Sequence, residues 1–245
     1  MIFRQLFDQA SSTYSYLIAS RRGGAACLVD PVLGQVGRYL RLLEELELSL
    51  VMAIDTHLHA DHVTGAGRLS VHTDCATVMG RETEAELVSL RVANGERIDI
   101  DGLTLRALHT PGHTPDSYCF LLEDRVLTGD TLFIRGTGRT DFQGGDPAAQ
   151  YESIFDKLLR LPEETLVFPG HDYKGDTVST IGEERAFNPR LQVGGVQEYV
   201  DLMNGLRLPR PKLIDVALPA NRRLGLPPAE PEPVSILDLP GSYFA

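Results

Sequence analysis

The N-terminal third of the chain alternates short apolar runs with turns that contain Ser and Gly. Three runs, over residues 2–7, 14–19 and 25–29, predict a meander of β-strands with turns at 11–12 and 23–24. Apolar side chains then recur three or four positions apart over residues 36–46, which predicts an amphipathic helix with one buried face. The fold therefore begins with neighbouring strands and continues with a helix.

Further along, helical and strand patterns alternate. The apolar run over residues 48–54 is short and uninterrupted, as is typical of a buried parallel strand. Asp146 followed by Pro147 is typical of a helix start, and this helix is predicted to end at Leu159. The remaining predictions are a short helix near Gly67, a strand at 77–79, a helix at 82–89, paired strands up to Leu127 and a helix at 196–206. This alternation predicts an α/β fold.

Length and composition are those of one globular domain. A chain of 245 residues with 42% hydrophobic side chains can bury a sizeable core as a single α/β domain, so we expect one domain over residues 1–245. Pro recurs from residue 226 onwards, and residues 226–245 are expected to form an extended, Pro-rich C-terminal tail.

Charge and cysteine content bear on partners and location. The net charge of −11 argues against nucleic acid and against an anionic membrane surface as partners. No apolar run is long enough to span a membrane, and the N-terminus has the pattern of neither a signal nor a transit peptide. Three cysteines, an odd number without CxxC spacing, indicate a reducing compartment, and none is proposed as a nucleophile. A cytoplasmic location is therefore expected.

Histidines concentrate directly after the strand predicted at 48–54. Three of the seven histidines in the chain, His57, His59 and His62, lie within six residues, with Asp61 between them. Imidazole and carboxylate together are the ligands of Zn, Mn and non-haem Fe. Open α/β sheets place their sites at the carboxyl ends of strands, so this cluster predicts a metal site.

Three further candidate ligands follow the same arrangement of strand, turn and polar side chain. His113, Asp130 and His171 each come after an apolar run and a turn that contains Pro or Gly. Four such strand ends can converge on one rim of the sheets. His109 is interpreted as a structural turn residue and His72 as a surface or loop residue, so neither is assigned a role.

The ligand inventory leaves the number of metal ions open. If all the candidates bind metal, two ions share Asp130 and activate a bridging hydroxide for hydrolysis. If only His57, His113 and Asp130 bind, two histidines and one carboxylate form the facial triad of non-haem Fe(II) oxygenases. A non-catalytic metal-binding scaffold is a third reading, but it would be indicated by a missing ligand, and none is missing.

These residues, in this order, resemble the ligand set of the metallo-β-lactamase superfamily. The match covers the pattern His57-x-His59-x-Asp61-His62, then His113, Asp130 and His171. The resemblance implies an αβ/βα four-layer sandwich, with helices outside two central sheets.

A closer resemblance, to the persulfide dioxygenases (sulfur dioxygenases of the ethylmalonic-encephalopathy protein type), lies outside the shared ligands. It rests on four segments, residues 135–143, 171–173, 184–190 and 219–221. It implies one Fe(II) ion per chain, held by His57, His113 and Asp130. It also implies that the remaining candidate ligands orient water and the iron ligands through hydrogen bonds. These are His59, Asp61, His62 and His171.

The same resemblance implies the substrates. Glutathione persulfide and O2 would be converted to glutathione and sulfite. Glutathione carries two carboxylates, for which Arg is the natural two-pronged partner. We therefore expect substrate contacts from Arg139, Tyr173 and Arg223, which lie in or beside the resembling segments. A homodimer is compatible with the resemblance, and the preferred thiol carrier stays open.

The alternative function is that of a glyoxalase II-type enzyme, a dinuclear metal hydrolase of glutathione thioesters. It would use the same fold, the same ligands and a related thiol. Glyoxalase II enzymes usually add a helical C-terminal domain that grips glutathione, whereas the region after His171 here is short and Pro-rich. The dioxygenase is therefore the preferred prediction.

Overall fold

The structure is a computed structural model that describes residues 1–227. All but the first two positions of the Pro-rich tail predicted at 226–245 lie outside the described residues. The strands are β1 (Ile2–Asp8), β2 (Thr13–Ala19), β3 (Ala25–Val29), β4 (Ser49–Ile54), β5 (Ala76–Gly80), β6 (Leu90–Val92), β7 (Arg97–Ile100), β8 (Leu103–His109), β9 (Tyr118–Leu121), β10 (Arg125–Gly129), β11 (Leu166–Pro169) and β12 (Ser179–Thr180). The helices are α1 (Val36–Glu45), α2 (Ala66–Thr73), α3 (Pro147–Glu152), α4 (Ile181–Phe187), α5 (Val196–Gly205) and α6 (Ile214–Asn221).

The strands form two six-stranded mixed sheets. The first has the order β1-β2-β3-β4-β5-β6, antiparallel up to β3 and parallel from β3 to β6. The second has the order β12-β11-β10-β9-β8-β7 and contains one parallel pair, β10 with β11. The predicted ligands at 57–62, Asp130 and His171 come directly or shortly after the carboxyl ends of β4, β10 and β11.

Strand β2 illustrates how the layers are packed. Its side chains alternate, so Tyr16 and Ile18 belong to the core between the sheets while Leu17 packs with the helices α1 and α2. The outer face of the second sheet is covered in the same way by α3, α4 and α5, with Tyr199 in that cluster. Two central sheets with helices on both outer faces confirm the predicted αβ/βα four-layer sandwich.

The predicted N-terminal strands, the helices α1, α2 and α5 and the strands β4 and β5 are confirmed, with bounds that differ by one or two residues. The helix predicted from Asp146 is also confirmed. The Asp146 carboxylate caps it by accepting hydrogen bonds from the main-chain N–H of Ala148 and Ala149, at 2.8 and 3.1 Å. After α3 the chain stays helical through a π-helical turn (Ser153–Lys157) and a 3-10 turn (Leu158–Arg160).

The helix predicted at 82–89 is wrong, because this segment is a loop that leads into β6. Two of its main-chain groups bond to distant parts of the chain. Glu86 N–H donates to the carbonyl of Arg222 at 2.7 Å, and Ser89 N–H donates to Thr77 Oγ1 at 2.9 Å. Donors that bond to distant segments cannot take part in a helical ladder.

Within residues 1–227, no helix has the length and apolarity needed to cross a membrane.

The three cysteines, Cys27, Cys75 and Cys119, are free and buried. Burial raises the pKa of Cys27 to about 12 and that of the other two thiols to about 11. Thiols of such high pKa are poor nucleophiles, which agrees with assigning none of them a catalytic role.

Candidate metal centre

Four chain segments meet where strands of both sheets end. The cluster at 57–62 follows β4, His113 follows β8, Asp130 follows β10 directly, and His171 follows β11. Strands β10 and β11 are parallel neighbours, so their carboxyl ends lie side by side and bring Asp130 and His171 together. The ring centroids of His57 and His113 are 4.9 Å apart, although the two residues come from different sheets. The structure thus places all the predicted ligand segments at one edge.

His57, His113 and Asp130 form a compact group of potential metal ligands. Each residue offers one ligand atom, and these three atoms lie within 4.8 Å of one another. His57 Nε2 is buried and has no hydrogen-bond partner among the described residues. A buried polar atom without a partner is costly, so this atom is suited to bind a cation. The donor set of two imidazoles and one carboxylate fits a divalent transition metal.

The protonation of the two imidazoles suits this role. His113 Nδ1 lies 2.7 Å from the main-chain carbonyl of Arg139, which can only accept a hydrogen bond. Nδ1 therefore carries the proton, and Nε2 presents its lone pair 3.6 Å from Asp130 Oδ2. Burial, together with positive charge on His59, holds the pKa of His57 well below its usual value. The His57 ring is thus in the neutral form that binds metal, and the His113 ring directs its Nε2 toward Asp130.

A second group lies on the other side of Asp130. His171 Nε2 is 3.4 Å from Asp61 Oδ2 and 3.5 Å from Asp130 Oδ1, while His62 Nδ1 is 2.9 Å from Asp61 Oδ2. Burial disfavours the charge of Asp61, but His62 and His171 hold its pKa well below the usual range. Asp130 therefore points one oxygen toward each group. The geometry by itself permits one metal ion or two.

His59 is turned toward buried carboxylates. Its Nε2 lies 3.1 Å from Asp30 Oδ1 and 3.8 Å from Asp55 Oδ1. Burial opposes protonation, but the adjacent Asp30 raises the pKa of His59 to about 10. Asp30 also accepts hydrogen bonds from Thr56, through its N–H at 2.7 Å and its hydroxyl at 3.0 Å. Asp30 was missed from the sequence, although its position directly after β3, the parallel neighbour of β4, was an available signal.

Asn221 clamps the loop that carries the histidine cluster, and it too was missed. Its side-chain amide donates to the carbonyls of His59 and His62, both at 2.8 Å, and its Oδ1 accepts from Thr64 N–H at 2.9 Å. The side chain is buried. Asn221 ends the segment 219–221, one of the four on which the closer resemblance rests. That segment therefore supports the ligand loop through hydrogen bonds.

Two other segments on which the closer resemblance rests, residues 135–143 and 184–190, bind each other beside the candidate ligands. The Asn188 amide donates to the carbonyl of Gly136 at 2.9 Å, and Arg190 Nη1 donates to that of Thr137 at 2.6 Å. The buried carboxylate of Glu184 accepts from Arg135 N–H at 2.8 Å and forms an ion pair with the Arg135 guanidinium. The loop 135–143, next to His113 and Asp130, is thus anchored by residues 184–190.

The structure separates the three predicted substrate residues. The Arg139 guanidinium forms a two-pronged ion pair with Asp141 at 2.6 and 2.7 Å and lies over the Phe142 ring. Tyr173 is 72% exposed, and its ring stacks on His171 with centroids 6.0 Å apart. Arg223 lies 3.7 Å from Glu86. Arg139 and Tyr173 therefore contact the candidate ligands, through the Arg139 carbonyl and the His171 ring, whereas Arg223 pairs with the loop at 82–89. Their substrate roles stay predictions.

Comparison of the sequence and the structure with known proteins identifies relatives of this chain. A sequence profile of the metallo-beta-lactamase superfamily matches residues 9–171. The mitochondrial persulfide dioxygenases ETHE1 of Mus musculus and Homo sapiens are each 43% identical to this chain over 229 residues, which is 92% of this chain and 89% of theirs. The crystal structure of ETHE1 from Myxococcus xanthus superposes with a TM-score of 0.90 at 50% identity, over 92% of this chain and all of that one.

Proposed function

This chain belongs to the persulfide dioxygenase family of the metallo-beta-lactamase superfamily, and we propose that it oxidises glutathione persulfide at one Fe(II) ion per chain. Glutathione persulfide, O2 and water become glutathione and sulfite. The sulfane sulfur is oxidised, and O2 accepts the electrons. The observation that carries the proposal is 43% identity over 92% of the chain to persulfide dioxygenases, which includes the segments that support the ligand loops.

His57, His113 and Asp130 would hold the iron. Their three ligand atoms form a compact group, and a two-histidine, one-carboxylate set leaves positions open for substrates. Bound iron would supply the electron transfer between sulfane sulfur and O2. The protein contributes orientation and electrostatics. The ring of His113 is held by the Arg139 carbonyl, and that of His57 lies with Nδ1 3.0 Å from Thr56 Oγ1.

The second group of side chains manages protons and charge. Formation of sulfite from a persulfide and water releases protons beside Asp130. His171 Nε2, 3.5 Å from Asp130 Oδ1 and 3.4 Å from Asp61 Oδ2, is placed to take up such a proton, because the charges of these two carboxylates stabilise the imidazolium. His171 Nδ1 lies 3.1 Å from the carbonyl of Ser12, which fixes the ring. His59, turned toward Asp30, would act on the iron site through the position of its loop.

Metal content and substrate together test the proposal. We expect anaerobically purified protein to contain one Fe(II) per chain and to consume O2 when glutathione persulfide is added, with release of sulfite. Elemental analysis and an oxygen electrode measure both. Two metal ions per chain, both required for activity, combined with cleavage of a glutathione thioester, would instead support the glyoxalase II-type hydrolase. The relatives do not favour that alternative. The test distinguishes the two functions because Asp61, His62 and His171, which a second metal ion would need, are all present.

Arg139 is expected to bind a carboxylate of the substrate. A hydrogen bond to a charged group contributes about 1.5–3 kcal/mol, so Arg139→Ala should lower kcat/KM for glutathione persulfide by about 10–150-fold. Arg139→Lys should recover only part of this, because an ammonium cannot make the planar two-pronged contact. Metal content should stay near wild type in both, since His113 bonds to the main-chain carbonyl of residue 139.

Asp141→Asn provides the matched control for Arg139. It removes the charge that now pairs with the guanidinium but keeps the guanidinium itself. We expect a smaller loss of kcat/KM than in Arg139→Ala. Normal kinetics in Arg139→Ala, or an activity that falls only in step with lost metal, would make Arg139 structural, and Arg223 would become the candidate anchor.

The other expected partners and the location rest on the sequence and its resemblance alone. The absence of nucleic acid and membrane partners, a homodimer and a cytoplasmic location stay predictions. The names of the mouse and human relatives place those two proteins in mitochondria.

A further inference from the structure

Two peptide segments determine how the His113 ring is held. Gly112 precedes it, and the main-chain carbonyl of Arg139, which follows Gly138, accepts its Nδ1–H. Gly138 packs so tightly that a Cβ there would lie 2.0 Å from the carbonyl oxygen of Asp130 and 3.1 Å from Cγ of His113. The position of residues 138–139 is therefore coupled directly to two of the three proposed iron ligands.

Gln150, in α3, contacts both segments. Its side-chain amide donates to the carbonyl of Gly138 at 3.1 Å, and its side chain is completely buried. Its main chain lies against Gly112, where a Cβ would come within 2.3 Å of Gln150 Cα. Gly112 has φ +143°, which also favours glycine. One helical residue thus supports the segment before His113 and the segment that orients its ring.

Tyr199, in α5, holds the Gln150 amide in place. Its hydroxyl donates to Gln150 Oε1 at 2.8 Å and lies 3.3 Å from Thr137 Oγ1. The orientation of the amide follows from chemistry, because the carbonyl of Gly138 can only accept and must therefore face the Gln150 NH2 group. Tyr199 is completely buried. The polar chain Tyr199–Gln150–Gly138 is satisfied at each link, and such a chain rigidifies the groups that it joins.

We propose that Gln150 and Tyr199 are positioning residues for the iron ligand His113. The hydrogen bonds of the two side chains go to Gly138, Thr137 and each other, and not to the three proposed ligands. They hold the carbonyl of Arg139 where it keeps His113 Nε2 directed toward Asp130, so they act on metal affinity and ligand geometry through the main chain. The proposal rests on the proposed function in one respect, the assignment of His113 as a metal ligand.

Metal titration of purified apoprotein tests this inference. Gln150→Leu keeps most of the side-chain volume but removes both hydrogen bonds. Loss of a group that orients a ligand typically lowers metal affinity about 10–100-fold, and we expect a fall of this size for Fe(II) and for the spectroscopic substitute Co(II). The visible ligand-field bands of the Co(II) form should also shift. Tyr199→Phe retains the bond from Gln150 to Gly138, so it should show a smaller loss and remains informative if Gln150→Leu does not fold.

Ile154→Val provides the matched control. Ile154 follows Gln150 in the same helical stretch, is completely buried and packs in the same apolar cluster as Tyr199. We expect it to lower Tm while leaving metal affinity and the Co(II) spectrum unchanged. If Gln150→Leu and Tyr199→Phe change only Tm, as the control does, the inference is overturned. If His113→Ala binds metal as wild type does, the assignment of His113 fails instead, and the proposed iron site fails with it.

Discussion

His113→Ala is expected to abolish iron binding, whereas His62→Ala is expected to spare most of it. A proposed site with three protein ligands has no substitute for a lost imidazole, and His113 Nε2 faces Asp130 Oδ2 at 3.6 Å. His62 is directed by its Nδ1 to Asp61, at 2.9 Å, so its loss disturbs a neighbour of the site. The expected cost of such a change is about 10–100-fold in metal affinity or activity.

Metal analysis of both variants after anaerobic purification measures this difference. Stability offers a second measurement, because added Fe(II) at about 100 times its Kd should raise the unfolding free energy by about 2.7 kcal/mol in wild type. The same addition should leave His113→Ala unchanged. His72→Ala, an exposed histidine at the end of α2, provides a control that should behave as wild type. Equal loss of iron in His113→Ala and His62→Ala would contradict the mononuclear assignment and favour a dinuclear site.

Gly138→Ala is expected to destroy the metal site through one methyl group. The added Cβ would lie 2.0 Å from the carbonyl oxygen of Asp130, which is main chain and cannot swing away as a flexible side chain could. Either residues 138–139 or Asp130 must shift, and both positions are coupled to the ligands. Overpacking of this kind typically destabilises a protein by about 1–3 kcal/mol. We expect that loss of stability together with a metal content far below wild type.

Gly37→Ala is the matched control, because a Cβ at Gly37 meets no atom within 4 Å and the residue lies inside α1. Replacing a helical glycine with alanine should stabilise the protein by about 0.5–1 kcal/mol and leave the metal unaffected. Denaturant unfolding and metal analysis on both variants make the comparison. A Gly138→Ala protein with wild-type metal content would show that this loop moves freely and that it does not determine the ligand geometry.

Among the secondary-structure elements, those with strong local patterns were predicted and others were not. Helix α1 was found because apolar positions recur at helical spacing. Helix α4 was missed, although Thr180 followed by Glu183 is a capping signal, and the Thr180 hydroxyl does accept from Glu183 N–H at 3.1 Å. Helix α6 was missed because it is short and contains Pro219. Helices as short as these two are difficult to predict from the local sequence pattern alone.

The segments that carry the candidate ligands could be identified from the amino-acid sequence alone. His57, His113, Asp130 and His171 each follow a strand directly or after a short turn. Because parallel strands present their carboxyl ends at one edge of a sheet, the pattern is sufficient to predict that Asp130 and His171 meet. That the histidine cluster after β4, in the other sheet, joins them was an expectation that the structure confirms. The four-layer architecture followed from the resemblance that the same ligands carry, and the structure confirms it.

The residues that support those candidate ligands became visible only in the folded chain. Asn221 holds the main chain of His59 and His62 from 162 and 159 positions away, and Gln150 supports the carbonyl of Gly138 from α3. A buried amide hydrogen-bonds to whatever carbonyl the packing of helices and sheets brings beside it, and no periodicity or spacing encodes that partner. The pairing of Arg139 with Asp141 is decided in the same way, by the fold of one loop over the site.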